Sequence, residues 1–484
     1  MNPSPTFKAL GIILMLFSLS MLPPLLVNWI FHQDNAAPFI FSFLIIFFTG
    51  FTFWVATHKT RRELRNKDGF VVVVLIWSVL ALFGAIPYLL SNGLHLSFSE
   101  AFFESMSGYT TTGATVINNL DNLPKSILYY RQQSQFFGGM GIIVLVVAIL
   151  PLIGVGGMNL YRAEASGPMK ESKLTPRIMG TAKALWVIYV GLTLACIISY
   201  KLCGMGWFDS VCYAYATIGT GGFAPHNASV AYFESDLISI VCVVFMILGG
   251  TSFALHFKGI IKCQFSSYWK DEEFKSFIYF LSIISIVIGL TLIAENYYPE
   301  NETALIDSLF HVVSFGTTTG FTLSTDYAVW PLFIPALLTL VALVGGCAGS
   351  TSGGLKVVRA ILIKRHAHNE LKKIVHPNAI FHTKLNAKVM PDTIMGSVWG
   401  FCAAYFLSYM VLSIVLIGLG VDTITAFSAV SACITSVGPG LEAVTDNFAN
   451  LPATALWILD LAMLIGRLEV FTILVLFVPG FWKK

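Results

Sequence analysis

Long apolar runs alternate with short polar stretches along the whole 484-residue chain. The runs fall near residues 9–31, 37–57, 69–91, 132–158, 182–203, 236–257, 276–296, 330–363, 393–419 and 453–481. Each is long enough to cross about 30 Å of hydrocarbon as a helix. The pattern predicts ten crossings with both ends on one side. The first run is 23 residues, from Ala9 to Phe31. It is expected to be a retained helix, because a signal-peptide core is roughly 7–15 residues and ends at a small-residue cleavage site.

From the third run onward the spans form four pairs, each enclosing a shorter, half-apolar segment near 97–110, 207–218, 305–316 and 423–434. At about 1.5 Å per residue such a helix crosses only half a bilayer and must return on the side it entered. Non-helical backbone at that depth is tolerated where it is buried or lines water, which predicts a re-entrant helix followed by an extended loop. The expected fold is an all-α polytopic membrane protein. An N-terminal two-helix hairpin (1–67) precedes four M1–P–M2 units, 68–165, 166–265, 266–390 and 391–484, in pseudo-fourfold symmetry around one pore.

One phrase follows each short segment: Thr110-Thr111-Thr112-Gly113, Gly219-Thr220-Gly221-Gly222, Thr317-Thr318-Thr319-Gly320 and Thr435-Ser436-Val437-Gly438. A dehydrated cation needs several converging oxygens, and four extended loops present rings of carbonyls to which threonine hydroxyls add. Glycine permits the backbone angles and close approach this requires. A single such cluster is ordinary helix-packing material; four in register mark an ion pathway. Glu100, Asp209 and Asp307 each stand thirteen residues before their closing glycine. An acid in the first turn complements the helix dipole and leaves the negative end facing the loop. The fourth unit has Thr425 there, with Thr423 as a candidate cap.

Composition sharpens this reading. With 56% hydrophobic and 11% charged residues, the chain has too little charge for a soluble surface. Base clusters in alternate loops: Lys59, Arg61, Arg62, Arg65 and Lys67; Lys170, Lys173, Arg177 and Lys183; Lys258, Lys262, Lys270 and Lys275; and the long stretch 356–388 with His366, His368, His376 and His382. The positive-inside rule places these loops and both termini in the cytoplasm. The eight cysteines form no CxxC pair and read as small buried hydrophobes. No HExxH, paired intramembrane carboxylates or Ser/His/Asp set suggests an enzyme, and no nucleotide or nucleic-acid motif is present.

The eighth span is overlong and contains Gly345-Gly346-Cys347-Ala348-Gly349-Ser350-Thr351-Ser352-Gly353-Gly354. Glycine costs up to about 1 kcal/mol per helix position relative to alanine, so this run predicts either a bent helix or an unwound loop across the pore. Gly345, Gly346, Gly349, Ser350, Thr351, Gly353 and Gly354 are the candidate gate. Arg467 falls inside the last span, where a charge is costly without water or a partner. It pairs either with Glu469 or Asp460, or with carbonyls of the glycine loop at the pore. Lys356 is expected to snorkel to the inner interface, and Glu104 to brace the first loop from behind.

SEAFFESMSGYTTTGAT (99–115), FDSVCYAYATIGTGGFAP (208–225), IDSLFHVVSFGTTTGFT (306–322) and SAVSACITSVGPGLEAV (428–444) resemble the K⁺ transporter superfamily that contains the bacterial Trk and Ktr pore subunits and plant and fungal relatives. The resemblance implies one K⁺ pore per chain, a homodimer, an intramembrane gate in the third unit, and a cytosolic TrkA-like ring of RCK-type nucleotide-binding subunits. Those subunits, not this chain, would bind ATP, ADP or NADH; K⁺ is the transported ion and no organic cofactor is implied. Relatives preferring Na⁺ have serine at the first closing glycine, so Gly113 favours K⁺. The phrases depart from TVGYG, which predicts good Rb⁺ passage and less complete Na⁺ rejection. The alternative is an H⁺- or Na⁺-coupled K⁺ symporter with alternating access.

Overall fold

The computed structural model describes residues 4–59, 66–91, 93–139, 141, 178–323, 325–331, 333–386 and 388–482. The second span of the first unit beyond residue 141, and the basic residues Arg61, Arg62, Arg65, Lys170, Lys173 and Arg177, lie outside them. Two spans open the fold, Pro5–Ile30 and Ala37–Thr57. They cross closely because a side chain on Gly11 or Gly50 would meet the other helix's backbone at 2.8 Å, the small-residue contact that packs helices where lipid offers no hydrophobic drive.

Four short helices follow at the expected places: Phe98–Tyr109, Trp207–Gly219, Asn301–Gly316 and Thr423–Thr435. At 12–16 residues they reach only about 18–24 Å. Each is preceded by a long helix: Asn66–Gly84 continuing through Ile86–Leu90, Ile178–Leu202, Glu272–Ala294 and Asp392–Gly418. Their caps differ from one another. Ser97 and Glu100 form a capping box. Asp422, not Thr423, caps the fourth, accepting from Ile424 N at 3.0 Å and Thr425 N at 3.4 Å. The third begins at Asn301, so Asp307 lies beyond the first turn, which carries Glu302 instead.

The helices that follow the loops depart most from expectation. None of the described ones is a straight crossing. Lys125–Gly139 ends at Gly139, Asp236–Gly249 turns by 96° into Phe253–Ile261, Phe333–Val344 stops before Gly345, and Ala453–Arg467 stops before a break at Leu468 and Glu469. Among the described residues six helices are long and apolar enough to span, or seven with the bent pair, where the hydropathy pattern predicts ten, one of which (132–158) lies mostly outside the described residues. A hydropathy window registers apolarity and passes over a break that leaves the residues apolar. After the third-unit loop, helix Val357–Val375 leads to a small hairpin pairing Lys384 with Val389 and Leu385 with Lys388. Six cysteines are buried and Cys203 is half-buried, but Cys263 is exposed, against expectation.

Candidate functional site

All four short helices end with the same hydrogen-bond pattern. The amide of Thr111, Thr220, Thr318 and Ser436 donates three residues back, at 3.0–3.2 Å, and the next amide donates five back, at 2.8–2.9 Å. This is the Schellman ending, whose reversing residue is ordinarily glycine in the left-handed region. Here that residue is Thr111, Thr220, Thr318 or Ser436, with φ of 55°, 49°, 54° and 58°. Left-handed non-glycine residues are uncommon, and for the three β-branched threonines the conformation is costly, so the surrounding contacts must hold the turn in place. Two residues on, Gly113, Gly222, Gly320 and Gly438 take φ of 84°, 80°, 83° and 89°.

The closing glycines arrange the loops in a ring. A side-chain carbon on Gly113 would fall on the carbonyl of Gly221, one on Gly222 on Thr319, one on Gly320 on Val437, and one on Gly438 on Thr112. Each loop thus abuts the next, and the fourth returns to the first. The outer segments repeat the order: Leu120 N donates to Asn227 Oδ1 (3.0 Å), Thr322 N to Ser229 Oγ (3.3 Å), Tyr327 OH to the Gly440 carbonyl (2.8 Å) and Phe448 N to the Thr115 carbonyl (2.8 Å). Within the first and third loops, the hydroxyls of Thr110 and Thr112, and of Thr317 and Thr319, pair at 2.8 Å. The Thr435 hydroxyl bonds back to the Ser431 carbonyl at 2.8 Å, as Thr110 and Thr317 do to Met106 and Val313, but Val437 offers it no hydroxyl to pair with. The Gly219 carbonyl accepts from the Thr220 hydroxyl at 2.8 Å.

Buried carbonyls are almost always hydrogen-bonded. Among the described residues no donor reaches the carbonyls of Thr111, Thr112, Thr220, Thr318, Thr319, Ser436 or Val437. Among those residues there is also no group of three or more His, Cys, Asp or Glu side chains that would hold a metal ion. A cation here would meet backbone and hydroxyl oxygens.

Residues behind the ring fasten it. Glu104 and Arg131, 0% and 1% exposed, pair at 2.8 Å. Glu104 also accepts from Thr115 Oγ1 and Val116 N, while Arg131 donates to the Ala224 carbonyl at 3.1 Å and stacks on Phe223 at 4.2 Å. The pair therefore ties the first loop to the second. Gln135 grips the second loop, donating to the Gly221 carbonyl at 2.6 Å and accepting from Phe223 N at 3.0 Å. Neither Arg131 nor Gln135 was legible as a site residue, although the polar run Arg131-Gln132-Gln133-Ser134-Gln135 at the head of an apolar span was a signal. On the outer side, His226 lies between Asp121 (2.6 Å) and Asp209 (3.4 Å) and stacks on Tyr232.

Below the ring, residues 345–356 are unwound, with Gly345, Gly349 and Gly354 at φ of 72–74°. Thr351 Oγ1 donates to the Ile218 and Gly249 carbonyls, both at 3.0 Å, and Gly353 N donates to Thr318 Oγ1 at 2.7 Å. Gly353 also packs on the Thr435 carbonyl. The Gly346 carbonyl accepts from Val357 N at 3.0 Å, the Gly349 carbonyl from Phe253 N at 3.0 Å, and Ser350 Oγ donates to the Cys347 carbonyl at 2.6 Å. Arg467 joins this loop to the first: it donates to the Thr351 carbonyl (3.1 Å), to Thr111 Oγ1 (3.2 Å) and to the Gly138 and Gly139 carbonyls. The loop thus contacts three units directly and the first through Arg467. Glu469 pairs with Arg359 at 2.8 Å rather than with Arg467. Both oxygens of the buried Asp460 are without hydrogen-bond partners among the described residues. Lys356 does not snorkel; its amine turns into the loop and donates to the Ser352 carbonyl.

The chain matches the family model described as TrkH, cation transport protein, over residues 35–484. It is 45% identical over 479 residues to the Trk system potassium uptake protein TrkH of Vibrio parahaemolyticus, covering 99% of each chain. It is 37% identical over 474 residues to the Trk system potassium uptake protein TrkG of Escherichia coli, covering 98% of this chain and 97% of that one. The crystal structure of the potassium transporter TrkH from V. parahaemolyticus aligns with a TM-score of 0.91 at 43% identity, over 100% of both chains. The family is one of transporters, not enzymes. The resemblance carried by the four phrases thus extends to the whole chain, which belongs to the TrkH family of cation transport proteins.

Proposed function

We propose that the chain is the K⁺-conducting subunit of a Trk K⁺ uptake system, passing Rb⁺ as well. The observation that carries this reading is the closed ring of four glycine contacts, surrounded by backbone carbonyls with no donor among the described residues. K⁺ sheds water more readily than Na⁺, and carbonyl rings replace its hydration shell. The four units act as M1–P–M2 repeats around one pathway. Residues 345–356 and Arg467 close it on the cytoplasmic side, where Arg467 adds a positive barrier to a cation. Four loops in one ring support conduction over alternating access between two halves.

The basic cytoplasmic segment 356–388 suits docking of a nucleotide-binding RCK-type ring and contact with anionic lipid. The chain works as a homodimer in the inner membrane, each copy with its own pore and both termini inside. The test is flux into proteoliposomes of K⁺, Rb⁺, Na⁺ and Li⁺, with and without the cytosolic partner. Flux in the order K⁺ and Rb⁺ above Na⁺ and Li⁺ is expected; equal K⁺ and Na⁺ flux refutes the assignment.

A further inference from the structure

We propose that Glu273 is a positioning residue for the intramembrane loop, and that Asp271, Glu272 and Glu273 link this loop to the cytosolic hairpin at Asn386. The inference rests on reading 345–356 as the gate. Glu273 is 8% exposed at the start of helix Glu272–Ala294. Its Oε1 accepts from Ala348 N at 2.7 Å and from Val358 N at 3.2 Å. Those amides lie ten positions apart, one entering the loop and one just beyond it. A single buried oxygen therefore fastens both limbs to one rigid helix. A buried amide deprived of its acceptor is costly, and here two amides share one acceptor oxygen.

The two preceding residues face the cytosolic hairpin. Glu272 N donates to Asn386 Oδ1 at 2.9 Å, and Asn386 N returns a bond to Glu272 Oε2 at 3.1 Å. Asn386 Nδ2 donates to Asp271 Oδ2 at 3.2 Å. Asp271 also caps the helix, accepting from Phe274 N at 2.9 Å. Arg365 completes the link, donating to Glu272 Oε2 at 2.7 Å and to the Lys384 carbonyl at 2.6 Å. Asn386, at the hairpin tip, has φ of 48°, a conformation asparagine tolerates. Three consecutive acids thus hold the hairpin on one side and the loop on the other. A load on the hairpin that shifts this helix start also moves the oxygen that pins the loop.

The test is basal ⁸⁶Rb⁺ flux of the full-length protein in liposomes, with Na⁺ flux measured in parallel. Glu273→Ala is expected to raise basal Rb⁺ flux about tenfold or more, because it removes from the closed state the acceptor of both amides. The Rb⁺/Na⁺ ratio should stay at the parent value, because the ring of carbonyls is untouched. Glu273→Gln retains an oxygen acceptor and should return flux to within about twofold of the parent. Asn386→Ala should raise flux by about threefold, and the pair Asn386→Ala/Glu273→Ala should exceed Glu273→Ala alone by less than that factor, since both act on one link. If Glu273→Ala does not fold, Glu273→Asp, too short to reach both amides, and Asn386→Ala carry the test. Background flux from Glu273→Ala, or from Glu273→Asp where that variant replaces it, while Arg467→Ala conducts overturns the inference and leaves the gate standing. If Arg467→Ala and loop-shortened protein are silent as well, the gate reading falls. A collapsed Rb⁺/Na⁺ ratio, or full multiplicative effects of Asn386→Ala and Glu273→Ala, also overturns the inference.

Discussion

Replacing Arg131 with methionine tests how the carbonyl ring is held. Arg131 and Glu104 are almost fully excluded from solvent and meet at 2.8 Å. The substitution preserves much of the side chain's volume but strands the Glu104 carboxylate. It also removes donation to the Ala224 carbonyl and to Thr115 Oγ1, each at 3.1 Å, and the stacking on Phe223. Breaking one side of a buried pair costs about 3–5 kcal/mol, because the remaining charge stays buried. Two donors, Thr115 Oγ1 and Val116 N, remain to Glu104, which places the expected loss near the lower end of that range. Glu104→Gln in the same chain removes the stranded charge and should recover at least half of the loss. Thermal unfolding of the parent, both single variants and the double variant in detergent reads the cycle. Because Ala224 lies two residues beyond Gly222, Arg131→Met should also lower the Rb⁺/Na⁺ flux ratio. Unfolding of Arg131→Met with the parent, or strictly additive losses in the double variant, refutes the argument.

Other substitutions address the remaining parts of the site. Gly113→Ser places a side chain against the Gly221 carbonyl at φ of 84°, and should raise Na⁺ relative to K⁺ flux in liposomes; an unchanged ratio would remove Gly113 from the filter. Arg467→Ala frees the Thr351 carbonyl from the first loop, so basal Rb⁺ flux should rise, as it should when 345–354 is shortened. For His226, burial opposes protonation, but the nearby Asp209 carboxylate at 3.4 Å and the hydrogen-bonded Asp121 carboxylate outweigh it and raise the pKa above 6.5. A raised folded-state value makes the stabilisation complete below about pH 6.5 and lost as pH climbs through the raised value. Melting temperature between about pH 6 and pH 9 should therefore fall more steeply in the parent than in His226→Asn; parallel slopes would refute the clasp.

Much of this architecture is local and so legible in the chain. A short half-apolar segment ending in a hydroxyl-rich phrase and a glycine specifies a helix, a reversing turn and a left-handed closing residue, and the structure repeats that ending four times. The N-terminal hairpin and the helix break at 345–356 follow equally from apolar length and glycine content. The tertiary structure decided where the second helices break, because Gly139, Gly249 and Arg467 end their helices in surroundings that remain apolar. It also decided partners. Asp307 keeps its sequence offset but lies inside a longer helix, and Asp422 rather than Thr423 takes the cap. Arg467 bonds to carbonyls of the loop and of the first unit, while Glu469 goes to Arg359. Glu104 finds Arg131, and Glu273 finds two amides of another helix–loop junction. Spacing along a chain determines which residues share a helix face. It does not determine which buried charge meets which donor across a hundred residues, since that depends on how the helices pack and where the lipid and the neighbouring units leave no water to serve instead.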